Sequence, residues 1–291
     1  MTTVSAPRIE HHREPFGIGE SRPRLSWTLS GAPDGWRQQR YAVTVIRSDA
    51  EETFEVASAE QVLVPWPSRP LGSRERVGVR VAVQGADGVW SAAGPETRME
   101  TGLLRAEDWT ARPVGADLDE DAESDARRAT LVRRGFRVDG EIAGARLYAS
   151  AHGLYEAEVN GHRVGTDTLS PGWTVYRSRL RYYTYDVTDL LAEGENAIGA
   201  WLGDGWYRGR LGWRGGTRNI FGGDLSFLGQ LEITYVDGRR QTIPSDATWR
   251  ATPSPILRSG IYDGEDHDAR LEIPGWSSGS FDDSAWLPVS V

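Results

Sequence analysis

The stretch from Asn196 to Trp213 combines residue types that are suited to binding a carbohydrate. An apolar run (residues 197–202) is followed by an aspartate, a glycine, a tryptophan and a tyrosine at positions 204–207. Aromatic faces cover the apolar C–H surface of a sugar ring, and acids or amides bond its hydroxyls. We therefore expect a sugar-contacting loop here. The alternative is a structural turn whose tryptophan packs in the core.

Two further segments are expected to line the same surface. The glycine-rich stretch that follows contains an amide and an acid, and the loop from Leu169 to Arg179 contains two aromatic rings. In a bound state, the indole of Trp206 would stack on the sugar and the carboxylate of Asp204 would accept bonds from vicinal hydroxyls. The candidate sugar-binding residues are Asp204, Trp206, Tyr207, Trp213, Asn219, Asp224, Trp173 and Tyr176.

A charged run at residues 263–268 has the composition of a metal site or of an acid/base pair. It contains four carboxylates and one histidine, His267. Neighbouring side chains of an extended segment point to opposite faces, so only alternate ones converge. We therefore favour a structural role for this run. The other histidines are scattered and no helix carries a zinc-type histidine pair, so we expect no metal. No P-loop occurs either, which leaves nucleotide binding without support.

Composition argues against several functional classes. The 291 residues include 33 basic and 42 acidic side chains, and the net charge of −9 argues against nucleic acid or an anionic membrane as a partner. Because the chain has no cysteine, disulfides and thiol chemistry are excluded. The N-terminus lacks the apolar core of a signal peptide, and no apolar run approaches the ~20 residues of a membrane span. These features predict a cytoplasmic protein.

Alternating apolar residues predict strands in the first hundred residues. Residues 77–83 carry a valine at every second position, and residues 41–45 alternate in the same way. Asp-Gly at 87–88 predicts a hairpin turn, and Trp27 is expected in the core. Several short strands separated by turns predict an immunoglobulin-like or fibronectin type III-like sandwich over residues 1–103.

The same alternation returns in a second domain, residues 104–291. It is seen in residues 147–151 and 155–159, which Asn160-Gly161 follows as a strong hairpin signal, because both turn positions need positive φ. An acidic insert, residues 116–126, is expected to be a solvated loop. Since no long amphipathic helix is predicted, the fold class is all-β, with a jelly-roll sandwich in this second domain.

Four segments of the second domain resemble the N-terminal domain of bacterial α-L-rhamnosidases, in the order in which that family has them. The first domain is similar to the sandwich that precedes this domain in the family, through EPFGIGESRPRLSW (14–27) and DGVWSAAGPETRMETGLL (87–104). The four segments are ARLYASAHGLYEAEVNGHRVG (145–165), LSPGWTVYRSRLRYYTYDVTDLL (169–191), GENAIGAWLGDGWYRG (194–209) and IYDGEDHDARLEIPGWSSGSFDDSAWLPV (261–289).

This resemblance implies a glycosidase family, and it also implies that the catalytic domain of that family is absent from this sequence. Family members are inverting glycosidases, in which two carboxyl groups stand ~6.5–9.5 Å apart around a water. Their catalytic unit is an (α/α)6 helical barrel that follows the β-domains, and no helical periodicity for such a barrel is present up to Val291. We therefore expect the N-terminal, non-catalytic part of an α-L-rhamnosidase, and we assign no catalytic residue.

The partners that the resemblance implies are a rhamnose-containing glycoside or polysaccharide and the catalytic barrel. Two alternatives remain open: a stand-alone carbohydrate-binding module, and a structural scaffold for the barrel that binds no sugar.

Calcium is the cofactor that the resemblance brings into question. Some family members bind rhamnose with calcium on this jelly roll, through an acid and an amide that follow a loop tyrosine. Here Arg177-Ser178 follow Tyr176, and calcium prefers carboxylate and carbonyl oxygen, whereas arginine repels it. We therefore expect no cofactor, with calcium as the less favoured alternative.

Overall fold

A computed structural model describes residues 2–118 and 127–291, and the chain divides into two compact units, Met1–Trp109 and Thr110–Val291. The boundary predicted near Leu103 lies a few residues before this division. Most of the acidic insert predicted at 116–126 lies outside the described residues. Those residues form 22 strands, one four-residue α-helix and three short 3₁₀ turns, which confirms the all-β prediction. No helix in the described part of the chain is long and apolar enough to cross a membrane.

The first unit is built from nine strands. They are β1 (Thr3–Val4), β2 (Arg8–Ile9), β3 (Phe16–Ile18), β4 (Leu25–Ser26), β5 (Leu29–Ser30), β6 (Gln38–Ile46), β7 (Glu51–Val56), β8 (Arg76–Gly85) and β9 (Thr97–Thr101). Five of them form a sheet in the order β3-β9-β8-β6-β7, and the short pairs β1-β5 and β2-β4 accompany it. Only the pair of β3 with β9 is parallel among these pairings.

The core of the first unit follows the predicted alternation. Val79, Val81 and Val83 of β8 are fully buried, because every second side chain of a strand points to the same face. Trp27 is buried edge-on against Tyr41, with ring centroids 5.0 Å apart. Its indole N–H donates to the side-chain oxygen of Gln38 at 3.1 Å, so the one polar group of this ring is satisfied.

The second unit is a sandwich of two sheets. Its strands are β10 (Gly115–Ala116), β11 (Thr130–Val138), β12 (Ile142–His152), β13 (Leu154–Val159), β14 (His162–Arg163), β15 (Tyr183–Asp186), β16 (Gly194–Gly203), β17 (Ser226–Tyr235), β18 (Arg240–Pro244), β19 (Arg250–Pro253), β20 (Ile256–Gly260), β21 (Gly264–His267) and β22 (Leu287–Ser290). One sheet has the order β10-β22-β19-β11-β16-β13-β14 and the other β15-β12-β17-β18, while β20 and β21 form a separate hairpin.

A single apolar core lies between the two sheets of this sandwich. Ile198 and Val132 enter it from the seven-stranded sheet, and Leu147 and Phe227 enter it from the four-stranded sheet. Trp249, the largest fully buried side chain, completes it and donates its indole N–H to the Pro244 carbonyl at 2.9 Å. A rigid double sheet of this kind supports loops at its ends, which is where binding residues are commonly placed.

Two side-chain amides, a buried one and a half-buried one, connect the start of β16 to the neighbouring hairpin. The predicted Asn160-Gly161 turn connects β13 to β14, and both residues have positive φ, 51° and 81°. The side-chain nitrogen of Asn160 donates to the oxygen of Asn196 at 2.7 Å, and the backbone N–H of Ala197 donates to the oxygen of Asn160 at 2.8 Å. Asn196 is completely buried, and its own nitrogen donates to the carbonyls of Ala192 and Gly194. The network thereby sets β13 against β16.

Replacing Asn196 with alanine should lower the free energy of unfolding by about 2–4 kcal/mol, because several buried hydrogen-bond partners would be left unpaired at once. Urea unfolding followed by tryptophan fluorescence measures this change. Glu193→Ala, at a nearby exposed position, is the control and should change stability by less than about 0.5 kcal/mol. A similarly small effect of both substitutions would show that the amide network is not important.

Candidate carbohydrate-binding surface

The chain leaves β16 through a short helix that carries two of the candidate rings. After Gly203 and Asp204, helix α1 (Gly205–Arg208) presents Trp206 and Tyr207. Gly205 has a φ of 52°, and a Cβ at this position would collide with the side chain of Leu154. Glycine is therefore required for the helix to start this close to β13.

Five aromatic rings meet beside this helix, and we call them the aromatic surface: Trp173, Tyr176, Trp206, Tyr207 and Phe221. Trp173 stacks on Trp206 with an interplanar angle of 16° and a centroid distance of 6.2 Å. The ring of Tyr176 contacts both Tyr207 (5.2 Å) and Phe221 (5.0 Å), and Phe221 also contacts Trp173. Trp173 is 57% exposed, whereas Tyr176 is buried. The surface thus offers the indole of Trp173 to solvent, stacked on the half-buried Trp206.

The sequence did not single out Phe221, although it lies among glycines in the stretch that was expected to line the loop. Its neighbour Gly222 carries no side chain because a Cβ there would overlap the Tyr207 hydroxyl. The sequence pattern that could have identified Phe221 as a candidate is an aromatic residue followed by glycine.

Burial keeps the polar groups around these rings uncharged. It raises the pKa of Tyr176 to about 12, and the neighbouring Tyr207 adds to this shift. Burial also raises the pKa of Tyr207, helped by the charge of Asp224. Tyr207 stacks on His152 at 4.7 Å, and burial lowers the pKa of that imidazole. Near neutral pH the groups are phenols and a neutral imidazole, which suits an uncharged ligand that carries hydroxyls.

Asp204 is buried in an ion pair. Its exposed fraction is 1%, and Arg208 Nε donates to its Oδ1 at 2.7 Å, while Arg218 Nη1 lies 3.5 Å from its Oδ2. Burial raises the pKa of Asp204, and the charge of Arg208 opposes that shift. The carboxylate therefore holds α1 in place, and bonding to a sugar hydroxyl would require it to leave these partners.

The remaining candidates lie in the loop after α1. Trp213 is 85% exposed at the tip of a turn that is closed by paired backbone hydrogen bonds between Leu211 and Thr217. Its ring contacts Tyr262 edge-on at 6.0 Å rather than the aromatic surface. Asn219 is exposed, and its backbone N–H donates to the Arg208 carbonyl at 2.9 Å. The structure thus brings Trp173, Tyr176, Trp206 and Tyr207 together, with Asp224 near the last of these.

The acidic run 263–268 is engaged mainly in ion pairs. Arg210 donates to Asp263 at 2.6 Å, and Arg218 bridges Asp263 to Asp204. Asp266 pairs with Arg258, and Asp268 accepts from Arg270. These contacts support the structural role. Across residues 2–118 and 127–291, no group of three or more histidine or acidic side chains is arranged to hold a metal ion.

The two residues that follow Tyr176 do not supply the side-chain oxygen ligands that calcium prefers. Arg177 and Ser178 are exposed, and they offer a guanidinium and a hydroxyl where a calcium site needs carboxylate or carbonyl oxygens. The Tyr176 hydroxyl donates to the Gly172 carbonyl at 3.4 Å.

Comparison with known proteins decides the family. The family model described as the α-L-rhamnosidase N-terminal domain matches residues 140–291, just over half of the chain. The chain belongs to the α-L-rhamnosidase N-terminal domain family. A second model, described as a Rha78A-like, N-terminal immunoglobulin domain, matches residues 4–105. Both parts of the resemblance seen in the sequence are therefore confirmed.

Individual rhamnosidases match this chain over nearly its whole length. An α-L-rhamnosidase from Formosa agariphila is 35% identical, over 97% of this chain and 32% of the relative. The crystal structure of native α-L-rhamnosidase from Aspergillus terreus superposes with a TM-score of 0.92 at 43% identity, over 99% of this chain and 34% of that one. The Streptomyces avermitilis enzyme complexed with L-rhamnose superposes with a TM-score of 0.91 at 26% identity, over 100% and 45%.

The chain thus spans less than half the length of each of these relatives. Within its described residues, the only α-helix is the four-residue α1, so they contain no helical barrel.

Asp204→Asn should lower the free energy of unfolding of this chain by about 3–5 kcal/mol, because the buried guanidinium of Arg208 would lose its countercharge. Urea unfolding of the variant measures the loss. The matched control is Asp224→Asn at an exposed position, which should cost less than about 0.5 kcal/mol. If the two variants unfold at the same urea concentration, Asp204 does not brace the loop.

Proposed function

We propose that this chain is the non-catalytic N-terminal part of an enzyme that hydrolyses terminal α-L-rhamnosides, and that its second unit contacts rhamnosyl groups. The observation that carries the sugar-contacting part is the stacking of the exposed Trp173 on the half-buried Trp206 in the family-matched unit. The names of the relatives support the enzymatic part, since each is an α-L-rhamnosidase.

The physical properties of the aromatic surface support a neutral sugar as its ligand. One face of a pyranose ring exposes mainly C–H groups, which an indole removes from water. The surrounding phenols and the imidazole of His152 are uncharged near neutral pH, so they can form hydrogen bonds with the hydroxyl groups of a neutral ligand. In this proposal Asp204 acts through Arg208, by holding the helix that presents Trp206.

The state of the acids supports a non-catalytic role. An inverting glycosidase needs one carboxyl with a raised pKa that protonates the leaving group, and a second that stays ionised. Hydrogen bonds from Arg210 lower the pKa of Asp263, and hydrogen bonds from Arg270 lower that of Asp268. The pKa of Asp204 is raised, but this carboxyl is buried in its ion pair. We therefore propose that the catalytic carboxyls belong to a helical barrel that partners this chain.

The purified 291-residue chain should not hydrolyse an aryl α-L-rhamnoside. Release of the nitrophenol from 4-nitrophenyl α-L-rhamnoside, followed by absorbance, should equal that of buffer. An α-L-rhamnosidase of known activity is the positive control. Turnover that co-purifies with the chain and disappears in Glu265→Ala or Asp204→Ala would contradict the non-catalytic role.

Binding of methyl α-L-rhamnoside should be weak, with a dissociation constant of about 1 mM, because a monosaccharide has few atoms and the surface is open. Trp206→Ala should raise this constant about fivefold or more, since a stacking face is lost. Isothermal titration calorimetry measures both values, and a chelator should leave them unchanged because the proposed site needs no calcium.

Trp213→Ala is the control for this titration, because its ring lies away from the aromatic surface. An equal loss in both variants would move the site to the loop around Trp213. The absence of any rhamnoside binding by the unsubstituted chain would favour the scaffold role, and binding abolished by the chelator would show that calcium is required.

A further inference from the structure

The second unit contains an open cleft of about 530 Å³ that the aromatic surface does not explain. It lies between the neighbouring ends of β13 and β16 on one side and the β20–β21 hairpin on the other. Neither Trp173 nor Trp206 is among its lining residues. Its volume falls in the range of about 300–1,000 Å³ that is usual for small-molecule sites.

The sheet wall of the cleft presents an indole beside a carboxylate. Glu156 of β13 is directly opposite Trp201 of β16, so the two side chains share one face of the sheet. The indole N–H of Trp201 donates to Glu158 at 2.9 Å, and its ring meets Trp276 edge-on at 5.7 Å. These contacts hold the indole in one orientation on the cleft wall.

The hairpin wall presents polar groups at alternate positions. Ser259 pairs with Glu265, and Ile256 pairs with His267, and all four residues line the cleft. Asp266 lies between the two polar residues of β21 and is ion-paired with Arg258 at 3.0 Å. Successive side chains of a strand point to opposite faces, so Glu265 and His267 are directed to the cleft and Asp266 to the other face.

Most charges of the cleft are paired, and one carboxylate is left that can accept hydrogen bonds from hydroxyl groups. Glu156 is paired with Arg163 at 2.9 Å, and His267 contacts Glu272 at 2.8 Å. Among the described residues, Glu265 is the lining carboxylate for which no side-chain hydrogen bond or ion pair is found. One free carboxylate accepts bonds from vicinal hydroxyls, while Leu169 and Ile261 add apolar area at 53% and 38% exposure.

We propose that this cleft is a second glycan-binding site of the chain, which holds one neutral 6-deoxyhexosyl unit between Trp201 and Glu265. The indole of Trp201 covers a C–H face of the sugar, Glu265 and His267 bond its hydroxyls, and the apolar side chains receive its methyl group. The choice of an α-L-rhamnosyl unit rests on the proposed function, whereas the site itself rests on the cleft and its lining.

Indole N–H resonances of the ¹⁵N-labelled chain distinguish the two surfaces in a titration with methyl α-L-rhamnoside. Tryptophan-to-phenylalanine variants assign the signals. The Trp201 signal should shift saturably, and in Glu265→Ala its apparent dissociation constant should rise about tenfold, the effect expected when a charged hydrogen-bond acceptor is removed. Asp266→Ala, on the other face of the same strand, should leave the titration unchanged.

The outcomes separate this proposal from the preceding one. A stationary Trp201 signal, with moving signals of Trp173 and Trp206, overturns the cleft site and leaves the aromatic surface standing. If the Trp201 signal shifts while the signals of Trp173 and Trp206 stay in place, the aromatic surface is overturned and the cleft site stands. Equal weakening in Glu265→Ala and Asp266→Ala would also overturn the cleft site.

A sugar that lacks the methyl group tests the apolar half of the cleft. L-mannose carries a hydroxyl on the carbon where L-rhamnose has none, so the Trp201 signal should titrate about fourfold more weakly with L-mannose, the effect of losing one buried apolar carbon. Equal affinities of L-rhamnose and L-mannose would overturn the assignment of the cleft to 6-deoxyhexoses.

Discussion

The buried ion pair between Asp204 and Arg208 is the contact on which both proposed binding surfaces of this chain depend. Asp204 lines the cleft on one side and leads into the helix that carries Trp206 on the other. Arg218 extends the pair to Asp263, at the turn of the β20–β21 hairpin. Charges in a low-dielectric site interact strongly, but they also lose their hydration. Such a network contributes a defined loop geometry more than it contributes net stability.

The two sheets of the second unit make this geometry possible because they hold the loops from a rigid base. The Asn160–Asn196 network joins the hairpin between β13 and β14 to the start of β16, and the other end of β16 delivers Asp204. Close approach of main chains is part of this support. A Cβ at Gly199 would overlap the ring of Trp276, and that ring in turn positions Trp201 on the cleft wall. Substitutions far from a ligand would thus disturb binding through the sheet.

The electrostatics of the chain agree with neutral ligands. The net charge of −9 is carried by many carboxylates, yet most of those near the two surfaces are paired with arginine. All 33 lysine-or-arginine positions of the chain are arginine, whose planar fork binds a carboxylate through two parallel hydrogen bonds, as Arg270 does with Asp268. Paired acids hold loops in place, and aromatic faces with a few free hydroxyl-bonding groups remain for the ligand.

Local features of the chain could be read from its sequence. The valine alternation of β8, the Asn160-Gly161 turn and the ordered segments of the rhamnosidase family predicted two sandwiches, because strand period and turn conformation depend on neighbouring residues. Composition also placed Trp206 and Trp173 on one candidate surface. Only the tertiary structure buried Asp204 against Arg208, brought Phe221 into contact with Trp173 and Tyr176, and set Trp213 apart. It likewise opposed Glu265 to Trp201, which lie 64 positions apart in the numbering. These placements depend on sheet register and on the path of long loops, and no short stretch of sequence encodes contacts over that distance.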